Sequence, residues 1–296
     1  MRHLSIAATM SLALVSLVLV SGCGKGERRE VIQNKGSDTL VNVAQAWAEA
    51  YQEVDPAVVV AVSGGGSGTG IAALINGTVD LANASRAMKD KEIDQAKATG
   101  QNPVQHIVGY DALAVFVHSD NPLDTISLAQ LAEIYGENGK TTKWTDLGIE
   151  VPGCQDQTMI LVSRQNNSGT YAYFHDAVLG KTREFRLGTR DMHGSKDVVD
   201  LVENTPCAIG YSGLAYATDH IKMACIAPED GSDCVNPSVA TASDGSYPVA
   251  RPLFMYTNGE PTGHVKKYLD WILSDTGQCI ILEKGYAPAG DATCGG

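Results

Sequence analysis

Segments with two different hydrophobic periodicities alternate along the chain. Short apolar runs are typical of buried strands, and apolar residues that recur every three to four positions are typical of helices. We predict strands at residues 31–35, 58–62, 79–86, 158–162, 208–212 and 251–257. We predict helices at residues 40–51, 71–75, 127–135, 171–179, 196–203 and 263–273, and a Lys- and Asp-rich helix after residue 86. A long, mostly apolar run covers residues 104–118, and residues 225–246 have the composition of a loop. This alternation predicts an α/β fold with parallel strands.

The first residues of the chain follow a different pattern. A short charged start with Arg2 precedes an apolar run at residues 12–20, which is too short for a permanent membrane span. Small residues then lead to Cys23. We predict that residues 1–22 are an export signal that resembles the bacterial lipoprotein signal, which implies cleavage before Cys23 and a lipid on its sulfur. Residues 23–30 would be a polar tether, and the alternative is a plain signal peptide with an incidental cysteine.

The chain is acidic, with a formal net charge of −12 and no run of Lys or Arg. This balance argues against nucleic acid or anionic lipid as a partner. An anionic ligand would have to be recognised by local dipoles, hydrogen bonds and one or two arginines. About 270 residues follow the export signal, more than one typical domain, so we expect two lobes.

Six cysteines besides Cys23 remain in the chain. An even number in an exported protein predicts disulfides, and no CxxC or Cys/His spacing indicates a metal site. The sequence alone does not determine connectivity. Our hypothesis is two local pairs and one longer link, namely Cys225–Cys234, Cys279–Cys294 and Cys154–Cys207.

Small hydroxyl residues and glycines follow four of the predicted strands. They occur at residues 37–39, 67–69, 85–86 and 164–170, and three of these segments open a predicted helix. Singly, each Ser or Thr is more typical of a helix cap. The loops at the carboxyl ends of parallel strands meet in one crevice, so four such segments with two arginines indicate a shared anion site.

Several enzyme motifs are missing from this sequence. The glycine run at residues 64–70 fits a dinucleotide fingerprint only loosely, and no nucleotide P-loop occurs. Ser67 does not stand in G-x-S-x-G, and the histidines form no HxxxH or HExxH pair. We therefore expect no cofactor, no metal and no catalytic residues.

The segments at residues 36–40, 64–70, 80–86 and 164–170 resemble, in the same order, those of the phosphate-binding protein of the bacterial phosphate ABC transporter. The resemblance covers nearly the whole chain after the export signal. It implies a two-lobed periplasmic-binding-protein fold with two crossover strands, phosphate in the cleft between the lobes, and delivery to an ABC transporter permease. The expected phosphate ligands are Ser37, Asp38, Thr39, Leu40, Ser67, Arg86, Arg164, Ser168, Gly169 and Thr170.

Arg86 departs from the best-known pattern of that family, which has an Asp that accepts the proton of hydrogen phosphate. An arginine adds charge but no acceptor. Asp38 or Asp111 could supply the acceptor, and we favour Asp38 because it lies within the first loop.

The resemblance also sets the expected lobes. Lobe one would comprise residues 31–115 and 253–296, and lobe two residues 116–252. We expect a monomer in the periplasm or cell envelope, anchored by its lipid. A binding protein for sulfate or another tetrahedral oxyanion, an exported phosphatase of the same fold, and a phosphate-binding adhesin or sensor remain open alternatives.

Overall fold

The computed structural model describes residues 29–180 and 182–295. The predicted export signal, Cys23 and residues 24–28 of the predicted tether lie outside this range. The strands are β1 (Glu30–Gly36), β2 (Val58–Ser63), β3 (Leu81–Ala84), β4 (Pro103–His118), β5 (Thr125–Ser127), β6 (Ile160–Arg164), β7 (Arg190–Met192), β8 (Ala208–Gly213), β9 (Ile221–Met223), β10 (Cys225–Ala227), β11 (Ala250–Asn258) and β12 (Ala287–Pro288).

Helices connect most of these strands. They are α1 (Val41–Val54), α2 (Ser67–Ile75), α3 (Asp90–Ala98), α4 (Leu128–Tyr135), α5 (Gly169–Phe174), α6 (Ser195–Glu203), α7 (Val239–Ser243), α8 (Gly263–Ile272) and α9 (Asp275–Glu283). Helix α5 continues as a π-helical turn, His175–Leu179. Among the described residues, none of the helices has the length and apolarity needed to cross a bilayer.

The main path of the large sheet has the strand order β2-β1-β3-β11-β4-β8-β6-β7. Strand β1 is parallel to β2 and β3, and β6 is parallel to β7 and β8. Two parallel groups therefore flank the central pair β11 and β4, which is antiparallel. The carboxyl ends of the parallel strands in each group carry the loops that the sequence marks as functional.

Strand β4 belongs to both halves of the molecule. Residues 103–112 pair with β11, whereas residues 113–118 pair with β8 and β9. Residues 111–117 are all buried, as expected for a strand covered on both faces. The protein therefore has the two-lobed α/β fold, with β4 and β11 as the crossover strands between the lobes.

Each lobe has its own apolar core. Trp47, Leu81 and Tyr268 belong to the core of the first group of strands. The second core contains Phe174 and Tyr211, whose rings stack with centroids 3.7 Å apart. These cores fix the strands whose ends carry the candidate site.

The sequence predicts most of the long elements and misses several of the short ones. Residues 225–246 were predicted to be loop but contain β10 and α7, and α9 was not predicted. The three predicted disulfides, Cys154–Cys207, Cys225–Cys234 and Cys279–Cys294, are present. Cys154, Asp156 and Cys207 are also close enough together to suggest a metal site, but the two sulfurs are joined in the first of these disulfides.

Candidate anion-binding site

Five buried hydroxyl groups meet where the carboxyl ends of the parallel strands face one another. Their positions follow from the chain direction, because each residue lies just after a strand end or near the start of the next helix. All five residues are at most 1% exposed. This hydroxyl cluster consists of Ser37, Thr39, Ser67, Ser85 and Thr170.

Glycine permits the sharp turn after β1. Gly36 has a φ of +146°, and a Cβ there would lie 2.1 Å from the carbonyl oxygen of Asn83 on β3. The chain then turns through the short 3-10 segment Asp38–Leu40 into α1. The phenol hydroxyls of Tyr216 and Tyr286 donate to the backbone carbonyls of Asp38 and Thr39 and hold this turn in place.

Hydrogen bonds connect the cluster within one lobe and across the two. Ser37 Oγ donates to Ser85 Oγ at 2.9 Å, and the backbone N–H of Ser85 donates to Ser67 Oγ at 3.0 Å. The hydroxyl oxygens of Thr39 and Thr170 lie 3.0 Å apart, although the two residues follow strands of different lobes. The cluster therefore spans the interface between the lobes.

The backbone of Gly169 closely approaches this cluster. A Cβ at this position would lie 2.3 Å from Ser67 Oγ and 2.6 Å from Ser85 Oγ. Ser168, the N-cap of α5, accepts from the backbone N–H groups of Thr170 and Tyr171. A side chain at residue 169 would push the two lobes apart, so glycine is required for this close approach.

One buried guanidinium contacts both sides of the cluster. Arg251 Nη2 donates to Thr39 Oγ1 at 3.3 Å and to Thr170 Oγ1 at 3.0 Å. Its Nη1 donates to the carbonyl oxygen of Ser85 at 3.2 Å. The charge of Arg251 is balanced by Asp111, 2.8 Å away. Burial raises the pKa of Asp111, and the neighbouring charge of Arg251 opposes that rise.

A second guanidinium–carboxylate pair lies beside the cluster. Arg164 Nη2 lies 3.3 Å from Asp38 Oδ2, so this pair also joins the two lobes. Arg164 is only 1% exposed, and it donates further to Ser195 Oγ and to the carbonyl oxygen of His193. Burial lowers the pKa of Arg164, and Asp38 opposes that change. Arg164 is thus mainly bound to its own lobe, with one link to the other.

Asn167 makes a further contact between the lobes. Its side-chain Nδ2 donates to the backbone carbonyl oxygen of Gly65 at 2.9 Å. Its backbone carbonyl oxygen accepts from the N–H of Gly68 at 2.9 Å. A Cβ on Gly66 would lie 2.7 Å from that oxygen, so the glycine run is shaped to the loop before α5. None of these bonds involves the hydroxyl cluster.

We expect Asn167→Ala to weaken anion binding about tenfold without changing which anions bind. The variant loses one hydrogen bond of the closed state, and a factor of ten corresponds to about 1.4 kcal/mol. Titration calorimetry measures the change. The matched control is Asn166→Ala, because Asn166 is an exposed neighbour. Equal affinities for the two variants would show that the Asn167 contact does not stabilise closure.

The structure brings together most of the residues that the sequence singled out. Ser37, Thr39, Ser67, Gly169 and Thr170 meet at the cluster, while Asp38, Arg164 and Ser168 lie directly beside it. Leu40 is fully buried and its backbone N–H donates to the carbonyl oxygen of Ser37 at 3.1 Å. Arg86 is placed differently, because its guanidinium turns away from the cluster to Glu92.

Arg86 and Glu92 form a two-pronged ion pair. Nη1 and Nη2 of Arg86 each lie 2.7 Å from a different oxygen of Glu92. Burial would raise the pKa of Glu92, but bonds from the Arg86 side chain and the Lys89 backbone, with the Arg86 charge, produce a net lowering. The contacts of Arg86 therefore indicate a role in fixing the loop after β3.

We expect Glu92→Gln to lower the free energy of unfolding by about 1–2 kcal/mol at neutral pH. Because the folded-state pKa is lowered, the stabilisation is present above the unfolded pKa and is lost as the pH falls through the folded pKa. Urea unfolding at neutral and acidic pH measures this, with exposed Glu49→Gln as the control. A difference between wild type and Glu92→Gln that persists in acid would contradict the assignment. The companion variant Arg86→Gln should keep its anion affinity within about twofold of wild type.

Sequence reasoning missed the central role of Arg251 and left Ser85 out of the ligand set. The available signal was one charged residue within each of two apolar runs, Arg251 in residues 250–257 and Asp111 in residues 104–118. Charged residues in buried strands are nearly always paired. Two opposite charges in two buried strands could therefore have been predicted to meet.

Two lobes joined by crossover strands, with buried hydrogen-bond donors from both lobes between them, define a two-lobed solute-binding protein. A family model described as a PBP superfamily domain matches residues 24–276. The chain is 34% identical over 268 residues to the phosphate-binding protein PstS of Pseudomonas aeruginosa, covering 87% of this chain and 82% of that protein. The chain therefore belongs to the PBP superfamily and, within it, to the family of PstS proteins.

Other comparisons agree with this assignment. The phosphate-binding protein PstS of Bacillus subtilis is 32% identical over 274 residues, with 92% of this chain and 85% of that protein covered. A solved structure of a phosphate ABC transporter substrate-binding protein from Clostridium perfringens, with bound phosphate, superposes with a TM-score of 0.77. Its sequence identity is 29%, and the match covers 88% of this chain and 100% of that one.

Proposed function

We propose that this protein is an extracytoplasmic receptor that binds inorganic phosphate between its lobes and delivers it to an ABC transporter permease, without catalysing a reaction. The observation that carries the proposal is the hydroxyl cluster, in which Thr39 and Thr170 of opposite lobes meet and both accept from Arg251. Buried hydroxyls and a guanidinium suit a small tetrahedral oxyanion, since they can replace its hydration shell. The phosphate bound in the related Clostridium perfringens protein supports this ligand.

The proposed ligand set divides into donors and positioning residues. Hydroxyl and guanidinium donors would contact the phosphate directly, and their neighbours would hold them in place. The donors are Ser37, Thr39, Ser67, Ser85, Thr170 and Arg251, with Gly169 leaving the necessary space. The positioning residues are Asp38, Leu40, Arg164 and Ser168.

Binding would exchange bonds within the cluster for bonds to the anion. The hydroxyls of Thr39 and Thr170 now satisfy each other, and Arg251 donates to both. An entering oxyanion accepts from all three groups at once, and charge-assisted bonds are stronger than the hydroxyl pairs they replace. Because the donors come from both lobes, the anion stabilises the closed arrangement. Opening of the lobes would then release it to the permease.

The remaining predictions extend this proposal to the whole chain. Residues 1–22 would be the export signal, residues 23–30 the tether, and Cys23 the lipidated residue of a monomer in the cell envelope. Lobe one would comprise residues 31–115 and 253–296, and lobe two residues 116–252. Cell fractionation tests the anchor: Cys23→Ala should release the protein from the membrane, and continued membrane association would refute a lipid on this residue.

Equilibrium dialysis with radiolabelled phosphate tests the proposed ligand. The purified protein, stripped of bound anion, should retain one phosphate per chain. Excess unlabelled sulfate should leave that phosphate bound. Displacement by sulfate at comparable concentration would indicate a general oxyanion receptor, and retention of no label would contradict the proposal.

A further inference from the structure

A short turn that follows β8 contacts both lobes beside the hydroxyl cluster. It is the 3-10 turn Leu214–Tyr216. Tyr216 packs against the core that contains Val162, in the lobe of β6 and β8. Ala215 packs instead against the core that contains Trp47, in the lobe of β1. The turn therefore joins the lobes at a third place, in addition to the two crossover strands.

Glycines allow the close packing of this turn. A Cβ on Gly285 would lie 3.2 Å from the Cα of Ala215, and the φ of +85° at Gly285 also favours glycine. At the start of the turn, a Cβ on Gly213 would lie 2.9 Å from Asp111 Oδ2 on the crossover strand β4. The turn is thus fitted closely to the lobe of β1 and to the junction between the lobes.

Two phenol hydroxyls converge on the loop after β1. Tyr216 Oη donates to the carbonyl oxygen of Asp38 at 2.7 Å and to that of Thr39 at 3.3 Å. Tyr286 Oη donates to the same carbonyl oxygen of Thr39. Burial raises the pKa of both phenols, so each keeps the proton that it donates at physiological pH.

These bonds fix the planes of two successive peptides. In a planar trans peptide the C=O and N–H groups point in opposite directions. The carbonyls of Asp38 and Thr39 belong to the same peptides as the N–H groups of Thr39 and Leu40. Both N–H groups therefore lie on the edge away from the phenols, at the start of α1, where N–H groups favour an anion.

The two tyrosines belong to different lobes. Tyr286 follows α9 and is part of the core in the lobe of β1, so its bond to Thr39 is made within one lobe. Tyr216 packs in the other lobe, so its bonds to the loop depend on how the lobes are arranged. Opening of the lobes would remove the bonds from Tyr216 and leave the bond from Tyr286.

We propose, on the basis of the proposed function, that Tyr216 is a positioning residue that couples closure of the lobes to the orientation of the loop after β1. In the closed arrangement its hydroxyl fixes the peptides that carry the N–H groups of Thr39 and Leu40, and so aims these groups at the anion. In the open arrangement the loop keeps only the bond from Tyr286. The anion is then bound tightly only while the lobes are closed, and opening releases it.

The dissociation rate of phosphate tests this role. Equilibrium dialysis of the anion-stripped protein with radiolabelled phosphate measures the Kd, and a rapid-filtration chase with unlabelled phosphate measures the dissociation rate. In Tyr216→Phe the Kd should rise about tenfold through faster dissociation, because the open protein that meets the anion lacks the Tyr216 bonds in wild type as well. A Kd within about twofold of wild type, or a rise caused by slower association, would overturn the proposal.

The matched control is Tyr135→Phe. Tyr135 is a buried tyrosine whose phenol also donates to two backbone carbonyls, those of Ile209 at 2.9 Å and Val162 at 3.3 Å, but all three residues belong to one lobe. This variant loses the same kind of bonds, so it should keep both rate constants within about twofold of wild type. Equal effects of Tyr135→Phe and Tyr216→Phe would show a general loss of stability and would overturn the role of Tyr216.

Amide hydrogen exchange of the peptide covering residues 37–43 gives a local readout. With saturating phosphate, this peptide should exchange about tenfold faster in Tyr216→Phe than in wild type, whereas without phosphate the two proteins should exchange alike. Tyr286→Phe should exchange faster in both conditions. Equal exchange of Tyr216→Phe and wild type in phosphate would overturn the proposal. Failure of wild type to bind phosphate contradicts the proposed receptor, whereas phosphate binding with unchanged dissociation in Tyr216→Phe contradicts only the role of Tyr216.

Discussion

Gly169→Ala should abolish phosphate binding, with a Kd at least about 100-fold above that of wild type. The added methyl group would lie 2.3 Å from Ser67 Oγ and 2.6 Å from Ser85 Oγ, closer than atoms can approach without movement. Both serines are buried and belong to the other lobe, so the methyl group prevents the close approach of the two lobes. Titration calorimetry with phosphate measures the loss.

The matched control for this variant is Gly290→Ala, because a Cβ on Gly290 meets nothing within 4 Å. Its phosphate affinity should equal that of wild type. Gly169→Ala should still fold, since alanine is the better helix former and the clash arises only between closed lobes. Phosphate affinity within about tenfold of wild type would show that the close approach at Gly169 is not needed for binding.

Arg251→Met should lower the free energy of unfolding by about 3–5 kcal/mol, because it leaves the Asp111 carboxylate buried and unpaired. The two groups lie 2.8 Å apart with fully buried side chains, so water cannot replace the lost partner. Urea unfolding at neutral pH measures the change. The variant should also lose phosphate affinity, since Arg251 contacts the hydroxyls of both lobes.

A second substitution tests the cause of that destabilisation. The double variant Arg251→Met with Asp111→Asn removes the buried charge and should be more stable than Arg251→Met alone. Arg251 and Asp111 would not form the buried ion pair described here if Arg251→Met lowered the free energy of unfolding by less than about 1 kcal/mol. The same conclusion would follow if the double variant recovered none of the lost free energy of unfolding.

The strand ends that form the site were predictable because the residue types next to them are characteristic. Ser, Thr and Gly after a β-branched run are both turn formers and helix caps, so Ser37, Ser67 and Gly169 could be placed from neighbouring residues alone. The α/β class followed in the same way from the long strands and helices. Parallel-strand geometry then predicted that these loops would meet.

The ion pair at the centre of the site was not predictable by the same reasoning. Asp111 and Arg251 are separated by 140 positions in the chain, and only the register of β4 against β11 brings them together. Local periodicity gives no register between distant strands. The Arg86–Glu92 pair is local in sequence, because the two residues are six positions apart. The sequence still does not predict this pair, because the turn that joins the two residues depends on tertiary packing.

Short elements were missed for a related reason. Strand β10 has three residues and pairs with β5, and α7 has five residues capped by Ser238. Segments this short have little intrinsic stability, and contacts with the rest of the fold maintain them. The Gly-, Ser- and Asp-rich composition of residues 225–246 therefore favoured a loop prediction.

A crystal structure of the protein grown with phosphate would test most directly whether the anion binds between the lobes at the hydroxyl cluster. We predict a single phosphate with oxygens in hydrogen-bond contact with Thr39, Thr170 and Arg251, enclosed by both lobes. Phosphate bound elsewhere, or the same cluster with its hydroxyls still bonded to one another in saturating phosphate, would contradict the account.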